Sequence, residues 1–279
     1  MFRPAAIKRN DLIIGFSLAL IGIVMLWSSR DFSMSGDEQS QMQVGQNVFR
    51  YLGQCLGLIP GEPQAISLNY YGGLFGVVAE ACQRIFPNAD VLHLRHFLVA
   101  ITGFFTIVFA GKTAKLLHSR TAQFCTIWML LLSPRFFAAS MNNSKDIPFA
   151  LGMMMATYFL LKIVRAAPVL RLKDFIGLGF GLFFAIGIRI GGVMFGFYAL
   201  IAFTILARKY WTSNRKFVWK TLLALALTGL FSFAAAIVFL PFVWPNLLMA
   251  SARCIQVFSN YHIAVTMLYR GQDLPTSFP

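Results

Sequence analysis

The chain has 279 residues, of which 58% are hydrophobic and only 12% charged, against about 25% charged in an ordinary soluble domain. A mean hydropathy of +0.68 excludes a soluble globular fold of this size. The net charge of +14 would suggest a nucleic-acid partner in a more polar chain; here the basic residues read as topology signals. Cys55, Cys82, Cys125 and Cys254 make no C-x-x-C pair and no histidine stands at ligand spacing, so they read as inert hydrophobes rather than a zinc site or disulfide scaffold.

Crossing a bilayer takes about 20 mostly apolar residues. Stretches near 12 to 28, 94 to 111, 121 to 134, 147 to 163, 175 to 188, 192 to 207 and 221 to 243 qualify, which predicts an all-α polytopic membrane protein with about seven transmembrane helices. The first stretch follows Arg3, Lys8 and Arg9 and runs into Trp-Ser-Ser-Arg-Asp rather than a small-residue cleavage site, so it reads as a retained helix with a cytoplasmic N-terminus. Residues 175 to 207 would be about 50 Å long as one helix, beyond a hydrocarbon core of about 30 Å. A break is expected at Gly187-Ile188-Arg189-Ile190-Gly191-Gly192, where glycines permit a turn and the arginine needs water or a partner.

Charge supports this scheme. Fifteen of the 24 Lys and Arg fall in the segments assigned to the cytoplasmic side, with only Asp11 and Asp174 among the acidic residues, leaving that side +13 and the other +1. The polar residues that membrane physics leaves unexplained then collect in segments 29 to 93 and 135 to 146, the turn at 188 to 191 and the tail from Trp244, all on the extracytoplasmic side.

In the first of these, Gly36 precedes a helical pattern that puts Met42, Gly45, Phe49 and Leu52 on one face, with Asp37 and Glu38 at its start. The two carboxylates are either chemical groups at the mouth of the membrane core or ordinary helix N-terminal acids. The second crowds Arg135, Asn142, Asn143, Lys145 and Asp146 ahead of Pro148, a residue suited to the first turn of the returning helix. An amide and cation cluster beside a carboxylate suits phosphate binding and acid or base chemistry; a solvated loop with a helix cap is the bland alternative. His93 and His96 read as polar boundary markers without chemistry, and 66 to 86 and 246 to 263 as amphipathic helices on the outer face. The 29 Phe, 8 Tyr and 5 Trp suit a groove for an isoprenoid tail, although lipid-facing surface uses the same residues.

Gly36-Asp37-Glu38, Pro134-Arg135-Phe136, Asn142-Asn143-Ser144-Lys145-Asp146-Ile147-Pro148 and Arg189-Ile190-Gly191-Gly192 together resemble bacterial members of the GT-C glycosyltransferase superfamily. These are multi-spanning enzymes related to protein O-mannosyltransferases and to the lipid A aminoarabinose transferase. The resemblance runs along essentially the whole chain as a single domain, 1 to 279. Because family members usually have more spans, it implies an N-terminal portion truncated at the C-terminus.

What the resemblance implies is transfer of a sugar from a polyprenyl-phosphate carrier to a lipid, glycan or protein acceptor, outside a bacterial inner membrane. Asp37 is then the general base, Glu38 its support and Asp146 a second acid, with Arg135, Asn143, Lys145 and Arg189 on the substrate side. No metal-ligand set is evident, although the acidic residues leave room for a divalent cation. The competing classes are a transporter or flippase, suggested by Arg189 beside a glycine break, and a non-catalytic lipid-binding subunit.

Overall fold

The computed structural model describes residues 9–63, 72–259, 266–269 and 272–275. Ser67, Asn69, Tyr70, Tyr71 and His262 lie outside the described residues. The chain is an all-α membrane protein whose helices are α1 (Arg9–Ser28), α2 (Glu38–Cys55), α3 (Leu74–Ile85), α4 (Val91–Leu117), α5 (Arg120–Leu132), α6 (Pro134–Asn142), α7 (Asp146–Ala166), α8 (Leu172–Ile188), α9 (Phe195–Tyr210), α10 (Arg215–Ile237) and α11 (Leu247–Ser259). Residues 242–279 form a separate compact unit, in which α11 precedes an antiparallel hairpin of β1 (Thr266–Tyr269) and β2 (Gln272–Pro275), with Tyr269 opposite Gln272.

Each of the seven apolar stretches lies mostly on a helix, although 121 to 134 runs past the end of α5, 192 to 207 begins in a 3-10 turn and 221 to 243 runs past the end of α10. Asp11–Asp31, Val91–Leu117, Asp146–Ala166, Ile190–Tyr210 and Arg215–Ile237 are each long and apolar enough to cross a bilayer, and α5 with α6 passes the same test across a 68° bend. The number of spans by length and composition is therefore five, or six with the bent pair. The strongly apolar α8 has only 17 residues, about 25 Å of helix. The break after it lies where the glycines allow: Arg189 is extended and a 3-10 turn, Ile190–Met194, leads into α9. A Cβ at Gly192 would lie 2.8 Å from the Ile186 nitrogen, so the turn folds back onto α8 only because that side chain is missing.

Hydroxyl and amide side chains start several helices by accepting the amides that the first turn leaves unpaired. Asp90 caps α4 through the His93 amide at 2.9 Å, Ser119 caps α5 through Ala122 at 3.1 Å and Asn214 caps α10 through Phe217 at 3.0 Å. The amide donated to Asp90 holds its carboxyl below the usual carboxylate range.

Lipid tails are as apolar as leucine, so helices in a bilayer associate through close packing rather than hydrophobic expulsion. The 27-residue α4 is the central post. Its Ala100 and Ile107 pack with Ile21 and Met25 of α1, Ile127 of α5 and Met141 of α6, while its Val99 joins Leu74, Phe75, Ile147 and Ile188. Helices α7 and α8 meet at glycines: a Cβ on Gly152 would lie 2.6 Å from the Ala185 nitrogen, and one on Gly181 2.6 Å from that of Ala156.

Helix α2 buries Glu38, Val44, Gly45, Val48 and Gly53; of the expected face Gly45 is buried, and Met42, Phe49 and Leu52 are half-buried. Gly45 packs on the Gly76 backbone, where a Cβ at either glycine would fall within 2.6 Å of the other's Cα. Free cysteines occupy all four positions, and only Cys254 is buried; Cys55 and Cys125 are exposed, so packing does not explain those two.

Polar contacts mark two ends of the bundle. At one, Arg120 pairs with Asp11 at 2.8 Å, Lys162 pairs with the buried Asp174 at 2.6 Å, and Tyr210 donates to the Ala167 carbonyl at 3.1 Å. This is the end that carries the basic loops. The first, second and third polar segments meet at the other.

Candidate active site

Three connections build the site: the loop after α1, the turn between α6 and α7, and the break after α8. The first is fixed to the second by Asn142, whose Nδ2 donates to the Ser33 carbonyl at 3.2 Å. Asp37 takes the N-cap position of α2 without using its side chain as a cap. Its carboxylate instead pairs with the Lys145 ammonium across the site.

Asn143 organises the second connection. Its Oδ1 accepts the amides of Lys145 at 3.2 Å and Asp146 at 2.8 Å, and its Nδ2 donates to Asp146 Oδ2 at 3.0 Å. One amide side chain thus starts α7 and aims the Asp146 carboxylate. The other carboxylate oxygen meets Arg189 Nη2 at 2.5 Å, and the guanidinium lies 5.9 Å from the centre of the Phe149 ring. Arg189 therefore has the carboxylate partner that the glycine break left it needing, without leaving the end of the bundle.

Exposure separates two kinds of ion pair. The side chains of Asp37 and Asp146 are 58% and 52% exposed, and pairs this wet are worth about 0 to 1 kcal/mol, so both can exchange partners cheaply. Glu38 is different. Its carboxylate is 1% exposed, and each of its oxygens lies 3.1 Å from Nε2 of His96, which is wholly buried. Glu38 also accepts the Ser35 amide at 3.2 Å, which folds the loop bearing Asp37 back over the start of α2. Removing one member of such a pair leaves an uncompensated buried group and costs several kcal/mol.

The sequence-predicted residues divide accordingly. Asp37, Asn143, Lys145, Asp146 and Arg189 share one surface, with Glu38 directly beneath it. Arg135 is exposed in the first turn of α6, about 10 Å along that helix from Asn142, and forms no ion pair among the described residues. His96 was read as a boundary marker and is instead the buried partner of Glu38. The available signal was its spacing: four residues before Ala100 and three before Val99, on the inward stripe of α4. Arg95, which also received no role, is 4% exposed and within electrostatic range of Glu38.

Asp37 and Asp146 thus face Lys145 and Arg189, while the buried Glu38 faces His96 with Arg95 within electrostatic range. An arriving anion has to draw Lys145 or Arg189 away from an aspartate, and a divalent ion would have to displace the same two cations. No curated protein matches the chain. A family model described as dolichyl-phosphate-mannose-protein mannosyltransferase matches residues 78–248, more than half of the chain and all of α4 to α10. Asp37 and Glu38 precede the matched segment. With spanning helices and this match together, the chain belongs to the dolichyl-phosphate-mannose-protein mannosyltransferase family and is an integral membrane glycosyltransferase that uses a polyprenyl-phosphate-linked sugar.

Proposed function

We propose that the chain transfers a sugar from its polyprenyl-phosphate donor to an acceptor hydroxyl on the extracytoplasmic side of a bacterial inner membrane, with Asp37 as general base. The observation that carries this reading is the meeting of Asp37–Lys145 and Asp146–Arg189 at one end of the bundle, because each aspartate is paired with a cation that a phosphate can claim. Asp37 removes the acceptor proton; the resulting oxygen attacks the anomeric carbon; the bond from that carbon to the phosphate oxygen breaks. The carrier leaves as polyprenyl phosphate, its developing negative charge met by Lys145 and Arg189. Inversion follows from a single displacement. Glu38 supports the loop that presents Asp37, and Asn143 keeps Asp146 aimed at Arg189.

A groove of about 700 Å³ between α8 and α10, lined by Phe175, Phe180, Phe183 and Phe231, suits the isoprenoid tail. One of its walls, Phe183, stands on α8 six residues before Arg189, which follows the end of that helix. The N-terminus is then cytoplasmic.

The test is Asp37→Asn, which keeps size and loses most of the basicity. Transfer from a polyprenyl-phosphate sugar in reconstituted membranes is expected to fall by about 100-fold or more, with expression and thermal stability unchanged, since the aspartate is exposed. Undiminished turnover by this variant would remove Asp37 from the mechanism.

A further inference from the structure

Arg95 has no role in the reading above, and its surroundings do not explain it. It sits in the second turn of α4, and its Nε and Nη2 have no hydrogen-bond partner among the described residues. Glu38 and Glu80 lie within electrostatic range and favour its charge, but neither accepts a hydrogen bond from these two nitrogens. A guanidinium buried without an acceptor is expensive, and native folds retain such groups where something else supplies the acceptor.

Arg95 lines a narrow crevice whose other walls include Gly45, Gly73, Gly76, Ser144 and Lys145. The glycines are needed there: a Cβ on Gly73 would lie 2.8 Å from the Val48 side chain. The crevice has about 10 Å³ of room, enough for a single oxygen-sized group. Two cations and no carboxylate line it among the described residues. Lys145, which pairs with Asp37, is one of the two, so the crevice adjoins the catalytic carboxylate.

We propose that Arg95 is an oxyanion-binding residue: a non-bridging phosphoryl oxygen enters the crevice and accepts from the Arg95 guanidinium, while Lys145 takes a second oxygen of the same phosphate. This rests on the reading of this end of the bundle as the donor site. A sugar hydroxyl fits the volume but not a crevice lined by two cations and no carboxylate; a guanidinium fork matches phosphate oxygens. Drawing Lys145 onto the phosphate releases Asp37, so the base is freed only once donor is bound.

The experiment compares binding of a short-chain polyprenyl phosphate and the matching polyprenol to the full chain in nanodiscs of neutral lipid. In Arg95→Met, phosphate affinity is expected to drop by about 10- to 100-fold, the range of a charge-assisted hydrogen bond of about 1.5–3 kcal/mol. Polyprenol affinity stays the same. Unchanged phosphate affinity, or an equal loss for polyprenol and its phosphate, overturns the proposal. If Arg95→Met does not fold, the double variant Glu38→Gln/Arg95→Met removes both buried charges: loss of phosphate binding relative to Glu38→Gln alone supports the assignment, and retention overturns it. Because binding is the readout, failure of Asp37→Asn to lower turnover would refute the proposed reaction without touching this result.

Discussion

The Glu38–His96 pair makes the sharpest demand on stability. His96 is wholly buried, the Glu38 carboxylate is 1% exposed, and Nε2 reaches both carboxylate oxygens at 3.1 Å. His96→Leu keeps an apolar body in the core of α4 but leaves Glu38 with the Ser35 amide at 3.2 Å as its remaining hydrogen bond. Breaking a buried pair on one side costs about 3 to 5 kcal/mol, and Glu38→Met, which strands the imidazole instead, is expected to cost a similar amount. Removing both groups together strands neither, so Glu38→Met/His96→Leu should be less destabilised than the sum of the single variants by about 2 kcal/mol or more. Denaturant unfolding of the four proteins in one detergent, followed by tryptophan fluorescence, completes the double-mutant cycle. Agreement of the double variant with the sum of the singles to within about 0.5 kcal/mol would mean that the two residues do not act as a pair, and the account of how the Asp37 loop is held would fail. Turnover supplies a second readout: the single variants should lose activity even where they remain folded, because the loop that carries Asp37 loses its anchor.

Arg189→Lys should keep part of the donor use and Arg189→Gln lose most of it, since lysine retains the charge without the planar fork; unchanged affinity of Arg189→Gln for polyprenyl phosphate would leave the arginine only its pairing with Asp146. Cysteines introduced at 37 and 146 should label from the same side of a sealed membrane vesicle, and one in the 208 to 220 loop from the opposite side; labelling of 37 and 146 from opposite sides would dismantle the shared site. Gly152→Ala should destabilise the bundle by about 1 to 3 kcal/mol, because the added methyl would lie 2.6 Å from the Ala185 nitrogen; wild-type unfolding of this variant would show that α7 and α8 do not pack this closely.

The helices were legible because enough consecutive apolar residues make a helix in a bilayer, although five of them, or six with the bent pair, rather than seven are long and apolar enough to span one. The same rule located the break at Arg189, since a mostly apolar stretch of 33 residues is too long for one crossing. Asp37, Lys145 and Asp146 stood out for a related reason, being polar groups next to apolar runs that do not require them. What the sequence alone could not determine is which of them touch. The pairing of Asp37 with Lys145 spans more than 100 residues, and that of Glu38 with His96 nearly 60, so both depend on how α2, α4 and α7 pack. Gly45 stood on the expected inward face of α2, but its partner was out of reach, because only the packing of α3 brings the backbone of Gly76 against it. His96 and Arg95 looked like interfacial polar residues on hydropathy; only the placement of α2 and α3 against α4 buries them and makes one a carboxylate's partner and the other a cation turned toward a crevice.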